Sequence, residues 1–222
     1  MTRLLVVRHG ETVFNREKRF QGWLDVPLSD FGSAQAEACA DYLAGSPFLP
    51  VARVYSSPLC RAEKTAKAIA EALGADLATD GRLREIDVGE IVGMTWEEAA
   101  AEYPKLMEEY RRNPIATRYP GGESALDVWD RAGDLLRHVA EAHPGETIVV
   151  VGHAIILKAL ICHILRLDIA NHRRMTLGNA SLSVAEMGIQ SGGFSGRVIR
   201  LNDRHYLEHA GLDAYTGEVD AK

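Results

Sequence analysis

Four apolar residues, Leu4-Leu5-Val6-Val7, end abruptly at Arg8-His9-Gly10, and a run of that length bounded by a glycine reads as a buried strand. The same pattern recurs later, so strands are expected at 3–7, 51–56 and 147–151. Between and after them, apolar positions fall at helical spacing over about 29–44, 58–73, 95–112, 124–142 and 154–166. Boundary residues agree with this division: Ser29 precedes Asp30 and Gly45 follows, Ser57 and Pro58 read as N-cap and first helical residue with Gly74 as the stop, and Thr95/Glu98 and Ser124/Asp127 resemble capping boxes. Near the end, the apolar-rich runs 180–187 and 197–203 are joined by Gly188 to Gly196, the signature of a hairpin.

Strands alternating with helices imply parallel strands and helical crossovers. The expected fold class is therefore α/β: a three-layer α/β/α sandwich with a mostly parallel central sheet and a C-terminal edge hairpin. No repeat, low-complexity tract or linker interrupts the chain, so one domain is expected over 1–222, with residues about 91–120 as a helical lid. The tail from about Glu208 is polar and is expected to be frayed or loosely docked.

A chain of 222 residues can bury roughly 70% of its unfolded surface in one core. Its formal net charge of -6 argues against nucleic acid and against a polybasic membrane patch, so an anionic ligand needs a local cluster of cations. Cys39, Cys60 and Cys162 match neither a disulfide framework nor a zinc site, and a reducing, cytoplasmic location fits them. No run of 18 apolar residues and no signal-peptide pattern is present, so neither export nor membrane insertion is expected.

Candidate chemistry sits at strand ends, where open α/β sheets bind ligands. Arg8 and His9 follow the first strand, pairing a nucleophilic imidazole with a guanidinium fork suited to phosphate oxygens. Ser56-Ser57-Pro58-Leu59-Cys60-Arg61 opens a helix after the second, where backbone N–H groups and Arg61 make an anion site. Gly152-His153 repeats the opening logic, and two such histidines can face one another across a single crevice. Glu85, Asp87 and Glu90 surround a glycine-broken turn, and one of them could serve as an acid. Trp96, Tyr103, Met107 and Tyr110 read as packing of a lid helix, Arg111, Arg112 and Arg118 as solvated, His163 and His172 as surface or packing residues, and Cys60 as packing.

Six ordered motifs carry a resemblance: Arg8-His9-Gly10-Glu11-Thr12 with Asn15, Arg19-Phe20-Gln21-Gly22, Pro27-Leu28-Ser29 with Gly32, Ser56-Ser57-Pro58-Leu59 with Arg61, Pro120-Gly121-Gly122-Glu123-Ser124, and Gly152-His153. Together they resemble the histidine phosphatase superfamily, also called phosphoglycerate mutase-like. The resemblance implies that His9 becomes phosphohistidine and that Arg8, Arg61 and a protonated His153 form the phosphate pocket. It further implies binding by Asn15 and by backbone amides near Gln21, Gly22 and Ala154. Glu85, within Leu83-Arg84-Glu85, would be the proton donor. Neither metal nor cofactor is implied. The partners would be a small phosphorylated metabolite and inorganic phosphate as product, with a homodimer left open.

Two departures stand out. Ile91-Val92-Gly93 replaces a frequent Trp-Glu-Gly, and Ala154-Ile155-Ile156 with Lys158 replaces the usual small pair and later arginine, which suggests a more apolar wall. The family's mutases carry a longer segment between the donor and the Gly-Gly-Glu-Ser motif, whereas 35 residues separate Glu85 from Gly121 here. The implied activity is a metal-independent phosphomonoesterase similar to metal-independent phosphoserine phosphatases. The alternatives are a cofactor-dependent phosphoglycerate mutase and a non-catalytic phospholigand-binding member.

Overall fold

Residues 1–48, 50–190 and 193–213 are described in the computed structural model. Strand β1 (Thr2–Arg8) is buried on both faces: Leu4 and Val6 join one apolar cluster, Leu5 and Val7 another. A strand buried on both sides needs a helical layer on each. Helices α2 (Asp30–Ala44) and α3 (Cys60–Leu73) cover one face through Cys39, Leu43, Ala66 and Ile69. Helices α6 (Ala125–Ala142) and α7 (Ala154–Leu165) cover the other through Leu135, Leu136, Ile156 and Leu160. The result is a three-layer α/β/α sandwich.

The sheet also contains β2 (Arg53–Ser56), β3 (Leu77–Thr79), β4 (Thr147–Gly152), β5 (Leu182–Gln190) and β6 (Gly193–Asp203), and its order is β3-β2-β4-β1-β5-β6. Strands β1 to β4 run parallel, while β5 is antiparallel to β1 and β6 to β5. Short helices α1 (Val13–Arg16), α4 (Trp96–Glu102), α5 (Pro104–Arg112) and α8 (His205–His209) complete the set.

Several boundaries differ from the sequence reading. The helix expected from Pro58 begins at Cys60 with Leu59 as its cap: the Ser57 hydroxyl accepts the Leu59 N–H at 3.3 Å while also meeting His153, and Asp25 accepts the Cys60 N–H at 2.7 Å. The single helix expected over 95–112 is two, broken at Tyr103-Pro104, where proline lacks the N–H and crowds the preceding turn. Strand β3 was not anticipated: three residues at the sheet edge are too short for periodicity to register. Just before the tail, Tyr206 and Leu207 are buried, and within it the Leu212 carbonyl accepts from Gln35, so of the two expectations the described part of the tail follows docking. Residues 214–222 lie outside the described residues.

Candidate active site

Three neighbouring parallel strands deliver the polar residues to one crevice. Arg8 ends β1 opposite Gly152, the last residue of β4, and the His9 N–H donates to the Gly152 carbonyl at 3.0 Å. His153 then caps α7, while Ser57, just past β2, donates its N–H to Val151. Register alone thus sets the His9 and His153 rings 5.0 Å apart. The turn after His9 admits no side chain at Gly10, whose Cβ would stand 2.1 Å from the Gly32 carbonyl oxygen.

His9 Nδ1 lies 2.7 Å from the Gly10 carbonyl oxygen, which can only accept. Nδ1 therefore carries the proton and Nε2 the lone pair. Burial, followed by the charges of Arg61 and Arg8, holds His9 well below the ordinary histidine value, so it is neutral near pH 7. His153 is held low for the same leading reason, burial, with Arg61 next. The expectation of a protonated His153 is therefore corrected: in this setting it is a neutral hydrogen-bonding group. Its Nε2 meets Ser57 Oγ at 2.9 Å, and its Nδ1 is buried with no protein partner.

Arg61 is fully buried and anchored by Nη1 to Leu24 O (2.8 Å) and Nη2 to Gly22 O (2.9 Å), with Nε buried and without a protein partner. Burial lowers its pKa to about 10, which leaves it charged at neutral pH. Arg8 donates Nη1 to Leu177 O. Asn15 accepts at Oδ1 from Thr12 and Asn179, which leaves its amide nitrogen for a ligand, and the Thr12 hydroxyl donates to Gln21 Oε1. The Glu85 carboxylate accepts from Ile86 N at 2.9 Å and Ile155 N at 3.2 Å, in the first turn of α7.

One cleft is lined by Arg8, His9, Asn15, Gln21, Gly22, Arg61, Glu85 and Ala154, with His153 buried behind His9. Every sequence-predicted site residue is therefore at this place. The rival carboxylates are not: Asp87 accepts from Gly89 N, Glu90 from the Tyr103 hydroxyl, and neither lines the cleft. The Cys60 thiol is pushed up to about 11, by burial and then by Asp25, so it is not a reactive thiolate.

Other lining residues were missed or read otherwise. Lys158 is buried in the wall expected to be more apolar, one helical turn beyond Ala154. His172, read as a surface or packing residue, is buried in the cleft wall beside Arg173. Trp96 and Tyr110, read as packing of a lid helix, line the roof of the cleft as well as packing within it, and Tyr119, which the sequence reading did not single out, joins them. Asn179 does not line the cleft but donates to His9 O and Asn15 Oδ1, a support 170 residues from His9 in the chain that local patterns do not show. Among the described lining residues Arg8, Arg19, Arg61, Lys158 and Arg173 are cationic and Glu85 alone is anionic, so a chain of net negative charge concentrates positive charge here.

The pattern of the histidine phosphatase superfamily (branch 1) matches residues 4–203. The chain belongs to the histidine phosphatase superfamily. Among its members, phosphoserine phosphatase 1 of Hydrogenobacter thermophilus is 37% identical over 84% of this chain and 87% of its own length. A protein of Salmonella choleraesuis named probable phosphoglycerate mutase GpmB is 33% identical over 96% and 98%. In three dimensions, a mycobacterial glucosyl-3-phosphoglycerate phosphatase superposes with a TM-score of 0.79 at 31% identity, covering 90% of this chain and 98% of that one. Among the described residues, no helix of this histidine phosphatase is long and apolar enough to cross a membrane.

Proposed function

We propose that this protein hydrolyses a small phosphorylated metabolite, phosphoserine-like or of broad specificity, through a phosphohistidine. The observation that carries the reading is the His9 Nδ1 contact with Gly10 O, which leaves a neutral Nε2 nucleophile among Arg8, Arg61 and Glu85. His9 Nε2 attacks phosphorus; the N–P bond forms as the ester P–O bond breaks, and Glu85 gives its proton to the leaving oxygen. Glu85 then takes a proton from water, whose oxygen attacks phosphorus, and the N–P bond breaks to release inorganic phosphate.

Charge on the transferring phosphoryl group spreads over its equatorial oxygens, so fixed cations and donors supply most of the catalysis. Arg8, Arg61 and the buried Nδ1 of His153 face that task, with Asn15 and backbone amides around Gln21, Gly22 and Ala154 completing the phosphate site. Residues 91–120 form the lid within one domain. Its apolar cluster, including Phe20, Ile91, Met107 and Tyr119, supports that assignment by roofing the cleft.

The similarity to the Salmonella protein favours a second reading, transfer of the phosphoryl group between hydroxyls of phosphoglycerate. Purified protein in EDTA, screened with phosphoserine, 3-phosphoglycerate, sugar phosphates and α-ribazole phosphate, separates the two. Release of inorganic phosphate is the expected result. Isomerisation of phosphoglycerate without net release would establish the mutase, and no turnover of any compound would leave a phospholigand-binding protein.

A further inference from the structure

The main-chain oxygen of Glu85 is gripped from two sides. Arg131, on α6, donates Nη1 to the carbonyls of Arg82 (2.7 Å) and Arg84 (2.5 Å) and Nη2 to that of Glu85 (2.9 Å). Trp23 donates its indole N–H to the same Glu85 oxygen at 2.7 Å. Arg131 is itself fixed by Glu123, with Nε 3.2 Å from Oε1 and Nη2 3.1 Å from Oε2. Both side chains are largely buried, and neither lines the cleft.

Glu123 also ties down the chain beyond the acid. Its Oε2 accepts from Asp87 N at 2.9 Å, its own N–H donates to Asp87 O at 2.8 Å, and Glu90 N donates to Pro120 O. The two loops interlock so closely that a Cβ on Gly122 would stand 2.4 Å from Asp87 O. The Pro120-Gly121-Gly122-Glu123-Ser124 motif thus has a physical task that its place in the sequence does not reveal.

We propose that the Arg131–Glu123 pair is a positioning device for proton transfer, holding the 82–87 backbone so that the Glu85 carboxylate rests at the start of α7 facing the leaving oxygen. This rests on Glu85 being the proton donor. Between the short helical turns Gly81–Leu83 and Gly89–Ile91 no ladder of hydrogen bonds secures the chain. General-acid catalysis needs heavy-atom distances of roughly 2.6–3.2 Å, so a slack loop would forfeit it. A guanidinium, with five donors in a rigid fork, can collect several carbonyls at once.

The test compares Arg131→Gln and Glu123→Gln with Glu85→Gln and the Arg131→Gln/Glu85→Gln double variant, on p-nitrophenyl phosphate and on an alkyl phosphate. On the alkyl phosphate, kcat/KM should fall roughly 10- to 100-fold in Arg131→Gln, part of the roughly 10²- to 10⁴-fold that a general acid supplies. On p-nitrophenyl phosphate kcat/KM should change little, because it ends at phosphorylation of His9 and leaves out the water step that Glu85 also serves, and binding of vanadate should hold because Arg8 and Arg61 are untouched. Arg131→Gln should add little in the Glu85→Gln background. Equal losses on both substrates, an unchanged substrate ratio, or additive losses would overturn the inference. If Arg131→Gln does not fold, Glu123→Gln, which keeps its shape, carries the same comparison. Should Glu85→Gln itself show no leaving-group dependence, the donor assignment falls and takes this inference with it; selectivity in Glu85→Gln without selectivity in Arg131→Gln sinks the positioning role alone.

Discussion

The imidazoles of His9 and His153 stand 5.0 Å apart, inclined at 58°, and burial drives both well below the ordinary histidine value. In the unfolded chain each takes up a proton near pH 6.5, while in the fold neither does so there. Below about pH 6.5 the unfolded state binds more protons, so stability must fall as pH falls from that point toward the depressed folded values. Chemical denaturation at pH 7, 6 and 5 should show this decline. The slope should be shallower in a His9→Asn/His153→Asn variant; a slope equal to that of the wild type would place the proton uptake elsewhere.

Replacing His9 by alanine should abolish turnover while leaving the fold nearly intact, since the ring supplies the covalent step and the core lies in Leu4 to Val7. Acid quench of wild-type protein during turnover should capture acid-labile phosphate that is missing from the variant. Wild-type rates in the variant would remove His9 as nucleophile.

What could be read from the chain, and what could not, follows from the range of each interaction. β1 and β4 were legible because burial on both faces writes an unbroken apolar run, and a histidine after such a run falls at the crevice whatever lies between. The start of α3 was misread because a local rule, serine before proline, lost to two distant partners, His153 and Asp25. His172 enters the cleft wall beside α7, and Asn179 reaches His9 and Asn15 from just before β5; neither contact leaves a short-range trace. The charge of His153 was also misjudged: its neighbours Arg8 and Arg61 were known, but the burial that outweighs every other influence on it is a property of the fold.

Arg61 has two tasks, and a conservative change should separate them poorly. Its guanidinium ties down the loop at Gly22 and Leu24, and the residue also lines the cleft proposed to take phosphate. Lysine keeps the charge but cannot make both carbonyl bonds in the same fork. Arg61→Lys should therefore lose about 1–3 kcal/mol of stability, a fall in Tm of several degrees, and should weaken binding of vanadate or phosphate at least about tenfold. Calorimetry with and without vanadate checks both, and full vanadate affinity in the variant would take Arg61 out of the oxyanion site.

Glu85→Gln preserves size and hydrogen-bonding capacity but cannot shuttle a proton, so it isolates the acid. Its carboxylate is held by Ile86 N and Ile155 N and alone brings negative charge to the described cleft lining, whereas Asp87 and Glu90 spend theirs on Gly89 and Tyr103. An alkoxide is a poor leaving group and needs a proton as the P–O bond breaks; p-nitrophenolate departs almost without one. The variant should therefore lose roughly 10²- to 10⁴-fold in kcat/KM on an alkyl phosphate and little in kcat/KM on p-nitrophenyl phosphate, because kcat/KM ends at phosphorylation of His9 and leaves out the water step that Glu85 also serves. Asp87→Asn, which loosens the turn at Gly89 without touching the cleft, should depress both substrates alike. A leaving-group dependence that appears in Asp87→Asn or Glu90→Gln and not in Glu85→Gln would move the acid to that carboxylate.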